Sequence, residues 1–149
     1  MTVPLATARP RRLGRSAAAV LLGFLATFVL SLGTDQVLHL AGVYPPWGQP
    51  MRAPGLNLLA LAYRVVYTVL GGWVTAKLAP YAPMRHVWIL GGIGLLLATV
   101  GAAVTITQYD LGPTWYPIAL ALTSVPCVWL GGALAGARAA TRHGARRRF

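Results

Sequence analysis

Polar residues are few in this chain, and the most informative ones sit where an apolar sequence would exclude them. Thr34-Asp35-Gln36 and His39 interrupt a long run of Ala, Val, Leu and Phe. Asp35 and His39 are spaced i, i+4, so on a helix they share one face. The same row runs back through Ser31, Thr27 and Gly23, giving a narrow stripe of small and polar side chains. A carboxylate with an imidazole one turn away can relay a proton, hold an anion beside a cation, or give a metal two ligands. The available cation is Arg64, flanked by Tyr63 and Tyr67, whose hydroxyls can donate to Asp35 or His39. A metal would need a third ligand, for which Asp110 is the candidate.

These chemistries are weighed against a simpler one, a buried Asp35–Arg64 pair that staples two helices. Asp35 lies six residues before position 41, or ~9 Å below that end of its helix, and Arg64 eight residues after position 56, or ~12 Å below the same level. The depths match to within the reach of an Arg side chain, and the staple is the favoured reading. His39, one turn outward, is expected to be neutral and hydrogen-bonded to Asp35 or Tyr63. Asp110, in Asp110-Leu111-Gly112-Pro113, reads first as a turn residue. His86 reads as a cation at the membrane interface, and His143 lies in a basic tail.

The elements that must position these residues are four apolar runs, at about 16–41, 56–78, 87–107 and 115–137. Each reaches the roughly 20 residues needed to cross a hydrocarbon core of ~30 Å. Only helices satisfy their own backbone at that length in lipid. Pro45, Pro46, Gly48, Pro50, Pro54 and Gly55 break the chain after the first run, Pro80 and Pro83 after the second, and Gly112, Pro113 and Pro117 after the third. Tyr44, Trp47, Tyr81, Trp88, Tyr109, Trp115 and Tyr116 gather at the same boundaries, as interfacial aromatic belts do. The fold class is therefore all-α: a polytopic four-helix membrane bundle running up-down-up-down over 16–137, between basic tails at 1–15 and 138–149. The first run exceeds a signal-peptide core of ~7–15 residues and reads as an uncleaved anchor.

Composition agrees. The 149 residues are 56% hydrophobic and 10% charged, against about 25% charged in a soluble domain, and the mean hydropathy is +0.62. There are 13 Lys and Arg but two carboxylates, Asp35 and Asp110, for a net charge of +11. On this apolar background the partners expected are the bilayer and its anionic headgroups at the basic tails, not nucleic acid. The two tails and the connection between the second and third runs, with Lys77 and Arg85, carry almost all the cations, while the opposite side has Arg52, so the positive-inside rule puts both termini in the cytoplasm. An Ala-, Gly- and Arg-rich chain without Glu suggests a bacterial source and a multi-pass protein of the inner (plasma) membrane.

Glycines are the second feature. Gly71 and Gly72 in the second span and Gly131, Gly132 and Gly136 in the fourth are read as helix-packing positions, with Gly132 and Gly136 at small-xxx-small spacing. That packing serves either one bundle, a homo-oligomer or a larger membrane partner. Lone Cys127 excludes a disulfide framework or a multi-Cys metal site.

Thr34-Asp35-xx-Leu38-His39, Gly42-Val43-Tyr44-Pro45-Pro46-Trp47-Gly48 and Tyr63-Arg64-xx-Tyr67 with Gly71-Gly72 resemble a family of uncharacterised small bacterial four-span membrane proteins. The resemblance covers most of the chain and implies the same topology and polar cluster, with no activity attached. No nucleophile–base pair, carboxylate pair or phosphate loop is present, which leans against an enzyme, and no cofactor or bound metal is expected. The sequence thus points to a structural or accessory bundle. The alternative is a small transporter, proton-coupled or outer-facing ligand-binding protein using Asp35, His39 and Arg64.

Overall fold

A computed structural model describes residues 13–146, with side chains to 137. The Arg residues of the two tails, Arg15 excepted, and His143 lie outside the described side chains. Four helices follow in order: α1 Leu13–Leu40, α2 Pro54–Leu78, α3 Pro83–Gln108 and α4 Trp115–Arg146. Among the described residues there are no strands, and all four helices are long and apolar enough to cross a membrane, α4 through its Trp115–Ala137 portion.

Several prolines that sequence reading treats as breaks instead lie in first turns. Pro54 and Pro83 open α2 and α3, and Pro117 stands third in α4. A first-turn residue has no intrahelical partner for its N–H, so proline's missing donor costs nothing there. The end of α1 is set by Gly42, whose φ of +69° turns the chain back. The amides of Val43 and Tyr44 then both return to the Leu38 carbonyl.

The helices pack in the spatial order α1, α2, α4, α3. α2 lies against α1 on one side and α4 on the other, α3 lies along α4, and α1 and α3 touch only loosely. Gly23 meets Thr75 and Asp35 meets Arg64, so α1 and α2 are antiparallel. Gly91 meets Val125 and Gly132 meets Val87, so α3 and α4 are antiparallel too. α2 and α4 run the same way, with Arg64 near Tyr116 and Gly72 on Val128.

Small side chains face inward and large apolar ones outward. Ala60 is 1% exposed, whereas Leu122 is 71% exposed. Lipid tails are as apolar as leucine, so helices gain from close backbone approach rather than from hiding bulk. The glycines make that approach possible. A Cβ on Gly71 would overlap Thr27 and the Gly23 carbonyl of α1, and one on Gly72 the Val128 carbonyl of α4. One on Gly131 would overlap the Val69 carbonyl of α2, and one on Gly132 would come within 2.8 Å of Val87 on α3. Gly136 meets no described atom within 4 Å, which corrects the pairing of Gly132 with Gly136. Gly132 already faces Met84 and Val87 in the first turns of α3, which begins at Pro83, so four residues further along α4 there is no α3 to meet. Gly23, by contrast, forms the α1 half of the seam with Gly71.

Candidate functional site

Asp35 is 5% exposed, deep in the α1 face that meets α2. Both carboxylate oxygens are used. Tyr63 donates its hydroxyl to Oδ1 and Arg64 donates Nη2 to Oδ2. Tyr44 Oη lies 3.3 Å from Tyr63 Oη and 3.4 Å from the Leu56 carbonyl. Tyr67 does not reach Asp35, and its hydroxyl instead meets Thr34 Oγ1 at 3.0 Å. Two turns further in, Thr27 donates to the Tyr67 carbonyl at 3.1 Å, and deeper still Thr75 returns a bond to Ala19 at 3.3 Å. The polar stripe of α1 is thus turned onto α2 along its length.

The guanidinium of Arg64 is held from two sides. Its Cζ stands 5.7 Å from the Tyr63 ring centroid and 5.8 Å from that of Tyr116 on α4. A cation over these rings gains from their quadrupoles, more so where water is excluded. Arg64 therefore bonds to α1 while resting on α4.

His39 corrects an expectation. It makes no hydrogen bond to Asp35 or Tyr63. Its Nδ1 donates to the Pro45 carbonyl at 2.6 Å, and its ring packs on Trp47 at 4.0 Å and against the edge of Tyr44 at 5.4 Å. The reversal at Gly42 brings the Pro-rich loop back over the helix end, and the imidazole ties that loop down. Trp47 completes the tie by donating to Gln36 at 3.2 Å.

Asp110 is likewise engaged elsewhere. It pairs with Arg52 at 2.5 Å across the two loops, with both side chains largely exposed at 77% and 65%. The amide of Met51 donates to the Leu111 carbonyl at 2.7 Å alongside it. Buried Asn57 donates to the Met51 and Ala53 carbonyls at 2.8 and 3.0 Å, fixing the start of α2. Among the described residues, no three His, Cys, Asp or Glu side chains gather as a metal-ligand set.

Beneath these loops lies a cavity of ≈ 390 Å³. Asp35, His39, Arg64, Asn57, Asp110 and Tyr116 all contribute to its wall. The Tyr116 hydroxyl is buried and has no hydrogen-bond partner among the described residues. Tyr44 and Tyr116, which sequence places among the interfacial aromatics, are engaged inside the protein: Tyr44 is buried and Tyr116 stacks on Arg64. The Arg52–Asp110 pair was missed as well, although one loop cation and one loop carboxylate on the same side are a signal for it. At the opposite end, His86 is buried, with Nδ1 3.3 Å from the Ala82 carbonyl.

The chain matches no family model, no curated protein and no solved structure.

Proposed function

We propose that this chain is a multi-pass protein of a bacterial inner membrane, akin to the small four-span family it resembles. Its role is structural or accessory. The observation that carries this reading is the saturation of Asp35. With one oxygen on Tyr63 and the other on Arg64, the carboxylate is spent on holding α1 to α2. A buried carboxylate with both oxygens bonded fits a register-fixing staple better than a site that must accept and release protons. The test is replacement of both partners together, Asp35→Leu with Arg64→Met, in cells lacking the native chain. A staple tolerates this double change in function, whereas a relay or binding site loses its activity.

The helices run up and down across the membrane with both termini in the cytoplasm. Lys77 and Arg85 flank the α2–α3 turn and Arg15 the start of α1, while the other end holds Arg52 already matched to Asp110. The basic tails bind anionic headgroups. A cytoplasmic reporter fused after residue 149 is expected to be active, and one inserted at 48–50 inactive. The reverse pattern refutes the orientation.

One observation favours a second reading, an outer-facing binding or transport site. Tyr116, whose hydroxyl has no hydrogen-bond partner among the described residues, and Arg64 line the same cavity. Together they would suit a small molecule bearing a carboxylate or phosphate. Tyr116→Phe separates the readings. If the bundle is structural, removing an unpaired buried hydroxyl leaves thermal stability in detergent unchanged or raises it by up to about 1 kcal/mol, with no loss of cellular function. Loss of function with the fold intact would favour the binding site.

A further inference from the structure

A second hollow lies at the other end of the molecule, between the two helices that touch least. It is a groove of ≈ 760 Å³ walled by Ala17, Val20 and Phe24 of α1 and Ile89, Ile93 and Leu97 of α3. Arg85 and Ser16 stand among its lining residues near the starts of the same helices. We propose that this groove holds one anionic phospholipid, with an acyl chain between α1 and α3 and its phosphate on Arg85.

Three observations converge on that occupant. The first is length. The α1 wall runs from Leu13 to Phe24, about 16 Å at 1.5 Å per residue, which is the depth of one leaflet of a ~30 Å core. The second is charge. The chain has two side-chain carboxylates, and both are bonded at the far end, Asp35 to Arg64 and Asp110 to Arg52. Arg85 is separated from that end by about 35 Å of helix. It is exposed and has no ion-pair partner among the described residues, so it is free to meet the phosphate of a lipid. The third is the arrangement of the lining, in which Ser16, Arg85 and His86 gather near the helix starts while Phe24, Ile93 and Leu97 line the far end. Ester and phosphate oxygens supply the acceptors that the apolar walls lack. Basic positions between membrane helices are where anionic headgroups are recognised.

The test uses the full chain in detergent micelles, with bound lipid counted by native mass spectrometry. Phosphatidylglycerol and phosphatidylcholine with identical acyl chains are compared. One phosphatidylglycerol is expected to be retained per chain, preferred over phosphatidylcholine by about fivefold, the factor one basic residue supplies at a membrane surface. Arg85→Gln should erase that preference while leaving helicity by circular dichroism unchanged. Ala17→Trp, a change at an exposed wall position, should reduce retention of both lipids. Added inorganic phosphate should not displace the lipid, because it lacks the acyl chain. Equal retention of the two lipids by the native chain overturns the proposal. So does an unchanged preference in Arg85→Gln, displacement by phosphate, or a chain dimer that Ala17→Trp dissolves, which would make a second copy the occupant.

Discussion

Asp35→Ala is expected to destabilise the bundle by about 3–5 kcal/mol, the range for removing one partner of a buried ion pair. The loss is large because Arg64 would keep its charge between two aromatic rings with no counter-ion. Tyr63 would lose the acceptor of its hydroxyl as well. Arg64→Met should cost a similar amount by stranding the carboxylate. Asp35→Asn should be milder, since an amide oxygen still accepts from Tyr63. The double change Asp35→Leu with Arg64→Met should recover most of the loss, because apolar replacements of a whole pair are often neutral. Exchanging the charges, Asp35→Arg with Arg64→Asp, should also be milder than either single change. It should recover less than the apolar pair, because Tyr63 donates to position 35. A double-mutant cycle from reversible unfolding in mixed detergent checks this. A sum of the single effects equal to the double effect would refute the coupling.

Gly72→Ala and Gly131→Ala carry the second large expected effect. In each case the added Cβ meets a backbone carbonyl of the neighbouring helix, Val128 or Val69, rather than a side chain able to swing away. The α2 and α4 axes must therefore separate. Overpacking of this kind costs about 1–3 kcal/mol per site. Helix propensity acts oppositely, favouring Ala over Gly by about 0.8–1 kcal/mol. Gly136→Ala, which meets no described atom, should consequently be neutral or slightly stabilising. Thermal unfolding of the three variants in one detergent is the measurement. Destabilisation of Gly136→Ala as great as that of Gly72→Ala would remove the α2–α4 seam as the explanation.

The helices were legible because crossing a bilayer constrains length and polarity so strongly. The Asp35–Arg64 contact was legible because two helices joined by a short loop share a depth scale. Rise per residue alone then brings the residues level. What was not legible depends on chain reversal or on where a helix begins. His39 binds Pro45 rather than Asp35 because Gly42 folds the loop back over the helix end, a turn that rise per residue does not describe. The same turn buries Tyr44. Gly132 and Gly136 share a spacing motif, but the point at which α3 begins decides which of them it covers. Tyr116 resembled a belt residue because its partner, Arg64, lies on a helix more than 50 positions earlier.

The α2–α3 connection has a consequence for how copies of this chain meet. Only four residues, 79–82, join the two helical hairpins. Ala82 adopts φ +38°, a left-handed conformation that a side chain with a Cβ resists. A short hinge under strain invites two molecules to exchange a hairpin, since straightening the hinge relieves it. At the far end the two loops are fastened by the Met51–Leu111 hydrogen bond and the Arg52–Asp110 pair. Each hairpin is therefore held to its own partner at both ends, covalently at one and by a polar latch at the other. A crowded membrane can trade hairpins between neighbours only by opening that latch and the glycine seam together. The exposed loop pair, which adds little to the stability of one copy, is thus a guard against the exchange of hairpins between copies.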